Sequence, residues 1–290
     1  MKLQKKWLFI LFGIVVIGSM FAEKIVEFYF DWIWFTNHQF DSVFWTIILS
    51  QWGFGLATGV FFFIFTCFPL KRMFNKSSDM PVVLSDNVRR ELPLLDFIAS
   101  NLKHLMLFGP LALALMTGLI VGQKWELLQL YFKAVPFGNA DPIFGNDYSF
   151  YLFTLPLLNL GKSILWEILV ILGIGAGLIF FLKQFIYFGP SGIVMRQEAR
   201  RPLSFLAFYF LILMAMEFHL KQYGLLVGGS GVISGIGFAD FHGQLPILQA
   251  MSVLSLIGAG LSFFIATGRG LKKVTLALTG IGVIYLAGSF

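Results

Sequence analysis

Charge is scarce in this 290-residue sequence, at 12% of residues against a hydrophobic share of 58%. That is about half the charge of an ordinary soluble domain. A water-soluble core cannot hide so much apolar side chain, so a soluble globular fold is excluded. Cysteine is nearly absent too: Cys67 stands alone inside an apolar run, which excludes an intramolecular disulfide. No phosphate loop, nucleophile elbow or triad spacing occurs. The four histidines include no pair at the i, i+4 spacing of a helical metal site. Arginine is missing from every second polar segment, and this absence orients the chain.

What is present is a series of apolar runs of the length that a bilayer selects, about 17 residues or more. Seven are read, over 7–22, 44–70, 105–121, 163–182, 203–218, 247–267 and 274–290. The first and fifth are slightly short, but their flanking residues can snorkel or lie in the interface. The expected fold is an all-α, polytopic integral membrane bundle forming one transmembrane domain over 1–290. Its inner loops are 71–104, 183–202 and 268–273, and its outer loops 23–43, 122–162 and 219–246. The first run is read as uncleaved, because Met20 stands where cleavage after Ala22 would need a small residue.

Sixteen of the 21 lysines and arginines, including all seven arginines, precede residue 7 or fall in the three inner loops. Basic loops are retained in the cytoplasm, so the N-terminus is placed inside and Phe290 outside. Five of the 15 acids lie inside, which leaves net charges of +11 inside and −5 outside. The overall +6 is therefore a membrane asymmetry and not a nucleic-acid footprint. The inner face is expected to meet anionic lipid headgroups, and the location read is the bacterial cytoplasmic membrane.

Between the runs, 88–102 predicts a helix on the cytoplasmic surface, and 136–147 an ordered, turn-rich loop. Residues 150–160 predict a short interfacial helix before the fourth crossing. The glycine-rich stretch 223–246 is read as packed on the outer surface. Gly173 and Gly177 form a small-xxx-small face for helix packing. No inverted repeat is seen, and no pair of segments shares a pattern. The sequence also ends flush with an apolar run, which suggests either a terminus at the membrane or a further domain beyond it.

Three ordered motifs then carry a resemblance. The first is Asp31-Trp32-Ile33-Trp34-Phe35 followed by Val43-Phe44-Trp45-Thr46. The second is Pro136-Phe137-Gly138 through Asp141, Pro142, Phe144, Gly145 and Asp147 to Phe150-Tyr151 and Leu155-Pro156. The third is Gly235-Ile236-Gly237-Phe238-Ala239-Asp240-Phe241-His242 with Leu245-Pro246. Together they resemble the large bacterial integral membrane proteins of uncharacterised protein family zero-one-eight-two. The resemblance implies an N-terminal block of about seven spans followed by a large extracytoplasmic domain, of which this chain looks like the membrane block. It implies no activity to transfer.

Candidate chemistry lies mostly on the outer side. His38, His219, His242, Asp240, Asp141 and Asp147 are candidate metal ligands, set against hydrogen bonding that ties loops to helix ends. The loop 139–147 lacks the spacing and terminal Glu of a calcium loop, and its aspartates are read as turn and helix caps. Glu167 and Glu217 are the acids within apolar runs, read as interface anchors, with Lys221 able to pair with Glu217 at i+4. No cofactor is predicted and nothing points to nucleic acid. The function expected is a membrane anchor or assembly module for an extracytoplasmic domain or protein subunit. The alternatives are a transporter or channel for a lipid or small solute, and a membrane enzyme or redox subunit with an outer-face metal site.

Overall fold

A computed structural model describes residue 18 and residues 22–76, 93–189, 192–228 and 235–267. Within these the regular structure is helical apart from one two-stranded sheet and an isolated bridge between Ala140 and Asp147. The helices are α1 over 22–37, then α2 (Asp41–Lys76), α3 (Pro93–Ser100), α4 (Leu102–Gly122), α5 (Trp125–Phe132), α6 (Leu155–Leu182), α7 (Gln197–Val227) and α8 (Leu245–Thr267). A five-residue π-helical turn precedes α6 at Phe150–Thr154 and α8 at Asp240–Gln244.

Among the described residues, five helical stretches are long and apolar enough to cross a membrane: Asp41–Asn75, Leu102–Gly122, Phe150–Leu182, Ala199–Val227 and Asp240–Thr267. They contain the second to sixth apolar runs. The first and seventh runs, 7–22 and 274–290, lie outside the described residues except at positions 18 and 22. Exposed Leu56, Leu115, Ile174 and Leu254 face outward from the long helices, as lipid-facing side chains of a membrane protein do.

The helices overrun the hydropathy boundaries. The short interfacial helix expected over 150–160 is instead continuous with α6 through the π turn, with Pro156 just past the junction. α7 likewise runs to Val227, past the end expected at 218. The segment 183–202, expected as an inner loop, is not all loop: β1 (Ile186–Gly189) pairs antiparallel with β2 (Gly192–Met195), with Ile186 opposite Met195. Aromatic and β-branched residues on either side of Gly189 and Gly192 favour this strand pair. Of the surface helix expected over 88–102, the described part contains α3. Residues 229–234 of the glycine-rich stretch lie outside the described residues.

α2 and α4 form an antiparallel pair whose backbones nearly touch. A Cβ placed on Gly55 would lie 2.6 Å from the Gly118 carbonyl oxygen, and one on Gly122 would lie 2.8 Å from that of Gln51. Gly55 and Gly59 on α2 face Ala114, Gly118 and Gly122 on α4, so small residues every fourth position line both sides of the seam. The contact expected of Gly173 and Gly177 is not made, since a Cβ at either meets nothing within 4 Å. Gly175 is the close-packed glycine of α6, seated against Leu70 of α2.

α6 is the hub, with Ile168 and Ile179 fully buried against a cluster that includes Phe62, Leu70 and Met106. α7 runs antiparallel to α6, tied by the Tyr209 hydroxyl donating to the Leu165 carbonyl at 2.9 Å. α8 runs antiparallel to α7, where the Ser252 hydroxyl donates to the Ala215 carbonyl at 3.2 Å. α2, α6 and α8 therefore point one way and α4 and α7 the other.

Contrary to the sequence reading, two segments do share a pattern. Gly145 and Gly235 both have positive φ, 71° and 103°. Ten residues after each comes Leu-Pro, at Leu155-Pro156 and Leu245-Pro246, and the five residues before each Leu form the π turn. The cause is the same in both. The proline ring crowds the carbonyl four residues back and widens the turn, and the preceding leucine N–H bonds five residues back, Leu155 to Phe150 and Leu245 to Asp240. α2 opens on a fainter version: Gln39 has φ 63°, and Asp41, Phe44 and Trp45 fall at the spacings of Asp147, Phe150 and Tyr151. The two π-turn copies are parallel, opening helices that share a direction.

Candidate functional site

The family-motif residues of the second segment build one compact loop at the end of the bundle where α2, α6 and α8 begin. A Pro-rich, Gly-rich stretch has few ladder bonds to stabilise it, and two aspartates take their place. Asp141 is 3% exposed and accepts four bonds. Ile143 and Phe144 N–H donate to Oδ1 at 2.9 and 2.6 Å. Asn146 N–H and the Tyr151 hydroxyl donate to Oδ2 at 2.9 and 2.7 Å. Asp147 accepts from the Phe137, Gly138 and Ser149 N–H groups at 3.0, 2.8 and 2.8 Å. Ala140 and Asp147 form an isolated antiparallel bridge that closes the loop.

These donors set the carboxyl chemistry. Burial pushes the Asp141 carboxyl up, but the Phe144 N–H, the Tyr151 hydroxyl and the Ile143 and Asn146 N–H groups outweigh it and hold it below the usual range. The Ser149 hydroxyl, with the Phe137, Ser149 and Gly138 N–H groups, holds Asp147 at about 2. Both folded values lie below the unfolded carboxylate value of about 4. The stabilisation is thus complete above that value and is lost as pH falls through the folded ones. Acidification from about pH 4 towards pH 2 is expected to loosen residues 137–151 ahead of the helices. Amide exchange resolved by segment checks this, and uniform loosening of the whole chain would contradict it.

The loop is fastened to α7 through rings. Tyr223 packs edge-on against Phe144 at 4.9 Å and Phe150 at 5.1 Å, and its hydroxyl lies 3.2 Å from His219 Nε2. Phe137 meets Phe153 edge-on at 5.9 Å. At the start of α8, Asp240 is buried and accepts from Gly237 N–H at 3.2 Å. His242 Nδ1 lies 3.1 Å from the Phe238 carbonyl oxygen. On α1, His38 stacks on Trp34 at 4.6 Å with Nδ1 2.8 Å from the Trp34 carbonyl, while Trp32 and Trp34 are exposed.

The candidate ligands are thus held apart in local pairings. Among the described residues no group of three or more His, Cys, Asp or Glu is placed to hold a metal ion. The bonds to Asp141 and Asp147 come from donors, which occupy lone pairs a cation would need.

The two membrane acids differ. Glu217 binds Lys162 of α6 at 2.9 Å and Lys221 at 3.2 Å, so the expected i+4 pair forms and gains a second lysine. Glu167 accepts from the Thr117 hydroxyl of α4 at 3.1 Å. Sequence reasoning missed Tyr151, Tyr223 and Lys162, whose roles depend on partners far along the chain. It also missed the α2–α4 seam, whose Gly55-x-x-x-Gly59 and Ala114-x-x-x-Gly118-x-x-x-Gly122 spacings match that of the unpacked Gly173-x-x-x-Gly177.

Against known proteins, residues 8–290 match the sequence model of Uncharacterised protein family (UPF0182). A UPF0182 protein of Moorella thermoacetica is 32% identical over 98% of this chain, and one of Pelotomaculum thermopropionicum 31% identical over 95%. A third, of Geobacter sulfurreducens, is 29% identical over 93%. This chain spans about a third of their length, 30–32%. No solved structure matches. With nearly its whole length inside the family match, the chain belongs to Uncharacterised protein family (UPF0182).

Proposed function

We propose that this chain is a seven-span block of the bacterial cytoplasmic membrane, N-terminus inside, that anchors and assembles an extracytoplasmic domain or protein partner. The observation that carries the reading is a rigid loop end that displays large apolar side chains. Phe132 is 72% exposed, Val135 and Phe137 are exposed on the same segment, and Phe238, just before the second π turn, is 81% exposed. The loop beneath is immobilised by the seven bonds to Asp141 and Asp147. Apolar surface held on a fixed scaffold is what a protein contact uses. Relatives three times as long supply a candidate occupant, the remainder of such a chain. The basic loops favour the opposite end for the cytoplasm and for anionic lipid.

A second reading, transport of a lipid or small solute, rests on Glu167, an exposed acid inside an apolar helix. Its support is one residue, because Glu217 is already matched by two lysines.

Purification of the native protein in mild detergent tests the anchor. The expected result is co-purification with an extracytoplasmic domain or subunit, lost in a Phe137→Asp, Phe238→Asp double variant whose thermal unfolding is unchanged. A lone 290-residue product carrying its own small ligand would end the reading.

A further inference from the structure

Four helices carry charged or polar side chains at two heights separated by nearly the same interval. Gln51 and Lys71 on α2 are 20 residues apart, as are Arg201 and Lys221 on α7. Lys103 and Lys124, at the ends of α4, are 21 apart, and so are Lys162 and Lys183 on and just past α6. At about 1.5 Å per residue each interval is about 30 Å, the thickness of a bilayer's hydrocarbon core. Inside these intervals the only Asp, Glu, Lys or Arg residues are Glu167 and Glu217.

The heights coincide in space as well as in sequence. Gly122 abuts Gln51, which places Lys124 and Gln51 at one level. Thr117 bonds Glu167, with Lys124 and Lys162 seven and five residues beyond them in the same direction. Lys162 reaches Glu217, and Glu217 reaches Lys221. At the other level the Lys183 ammonium lies 4.3 Å from the Phe74 ring centroid, one turn from Lys71. Cys67 packs on Met106, about one turn from Lys71 and Lys103 respectively.

We infer that these two levels are the faces of the hydrocarbon core, with Gln51, Lys124, Lys162 and Lys221 lying against lipid headgroups. Two ammonium groups against one carboxylate are expensive in mid-bilayer and cheap at its edge, where lysine stems lie in the apolar layer and their heads reach water. The stretch Phe150–Leu182 has 33 residues, or about 50 Å of helix, which a core of about 30 Å cannot contain. The excess must leave the membrane on one side, and the ion cluster says which. Asp41 and Phe150 start their elements ten and twelve residues beyond Gln51 and Lys162, and Asp240 starts nine beyond exposed Gln249, which the Ser252–Ala215 bond sets near the level of Glu217. That puts them about 14–18 Å past the core, against a headgroup layer of about 5–8 Å. The Asp141 loop and both π turns therefore stand in water, clear of the lipid. This placement holds whether or not a partner docks there, so its test is independent of the anchor proposal.

The test uses single-cysteine variants at exposed sites in a Cys67→Ala background, spin-labelled and reconstituted into phosphatidylcholine and phosphatidylglycerol bilayers. Labels at Leu56, Leu115 and Ile174 are expected to collide preferentially with oxygen, and labels at Val135, Leu152 and Phe238 with an aqueous nickel chelate. The preference inverts at the level of Lys162. Hydroxyl-radical footprinting of the unlabelled chain in the same bilayers guards against perturbation by the label. Tyr148 and Phe238 should be oxidised and the normally more reactive Met116 spared. Oxygen preference at Leu152 and Phe238 equal to that at Leu115, or protection of Tyr148 and Phe238 equal to that of Met116, would overturn the placement and return the ion cluster to the membrane interior.

Discussion

Replacing Gly118 by valine is expected to separate α2 from α4 and to lower the unfolding temperature of the detergent-solubilised protein sharply. The first atom of the new side chain would lie 2.7 Å from the Gly55 carbonyl oxygen, and the Gly59 Cα would be its next neighbour at 3.4 Å. Both obstacles are backbone, so no rotamer change can relieve the clash. Overpacking a close-packed site costs about 1–3 kcal/mol when side chains can give way, and here the helices themselves must move. Lost contact along the seam then adds to the cost, because packing at small residues is a main source of helix association in lipid. Gly173→Val supplies the control. Nothing lies within 4 Å of its Cβ position, so the change should fall within about 0.5 kcal/mol, as exposed substitutions do. Thermal unfolding of the two variants side by side decides the matter. Equal losses would show that glycine in these helices acts through chain flexibility and not through the seam.

That contrast also shows what was legible in the sequence. Five long helices were readable because a bilayer demands about 20 apolar residues in a row, and composition alone reports this. Which glycines pack was not readable from spacing. Gly173-x-x-x-Gly177 and Gly55-x-x-x-Gly59 are the same pattern, and only the partner helix separates the open face from the buried one. Helix ends failed for a related reason. Hydropathy marks where apolar side chains stop, whereas α6 and α7 continue through Lys162 and Lys221 because backbone bonding does not stop there. The repeated π turns escaped because they are a backbone response to Leu-Pro, with only Leu-Pro and a distant glycine shared between the copies. The roles of Asp141 and Asp147 as turn-forming residues were foreseen from Pro, Gly and Asp in alternation. Their reach to Tyr151, and from there through Tyr223 to α7, was not.

Asp141→Ala is expected to unravel this loop while leaving the helices standing. The substitution leaves the Ile143, Phe144 and Asn146 N–H groups and the Tyr151 hydroxyl without their acceptor. A buried donor left unpaired costs about 1–3 kcal/mol, and water admitted to the loop will satisfy some of the four. A local loss of about 3–5 kcal/mol is expected on that basis, more than a loop of this size can absorb with its remaining contacts. Asp141→Asn should cost less, because the amide oxygen still accepts from one pair of donors while its NH2 faces the other. Amide exchange should then show deprotection over residues 137–151 in the order wild type, Asn, Ala, with the α2–α4 seam unchanged. Tyr151→Phe removes the hydroxyl donor to Asp141 and leaves the carboxylate and its three backbone donors in place, so it separates the two halves of the cluster. It should loosen the contact with Tyr223 while the Asp141 turn itself survives. If the alanine variant kept full protection over the loop, the carboxylate would be incidental and the rings around Tyr223 would be holding the segment. The apolar surface at Val135 and Phe137 would then depend on α7 for its position, and this end of the molecule would be organised by helix packing and not by its aspartates.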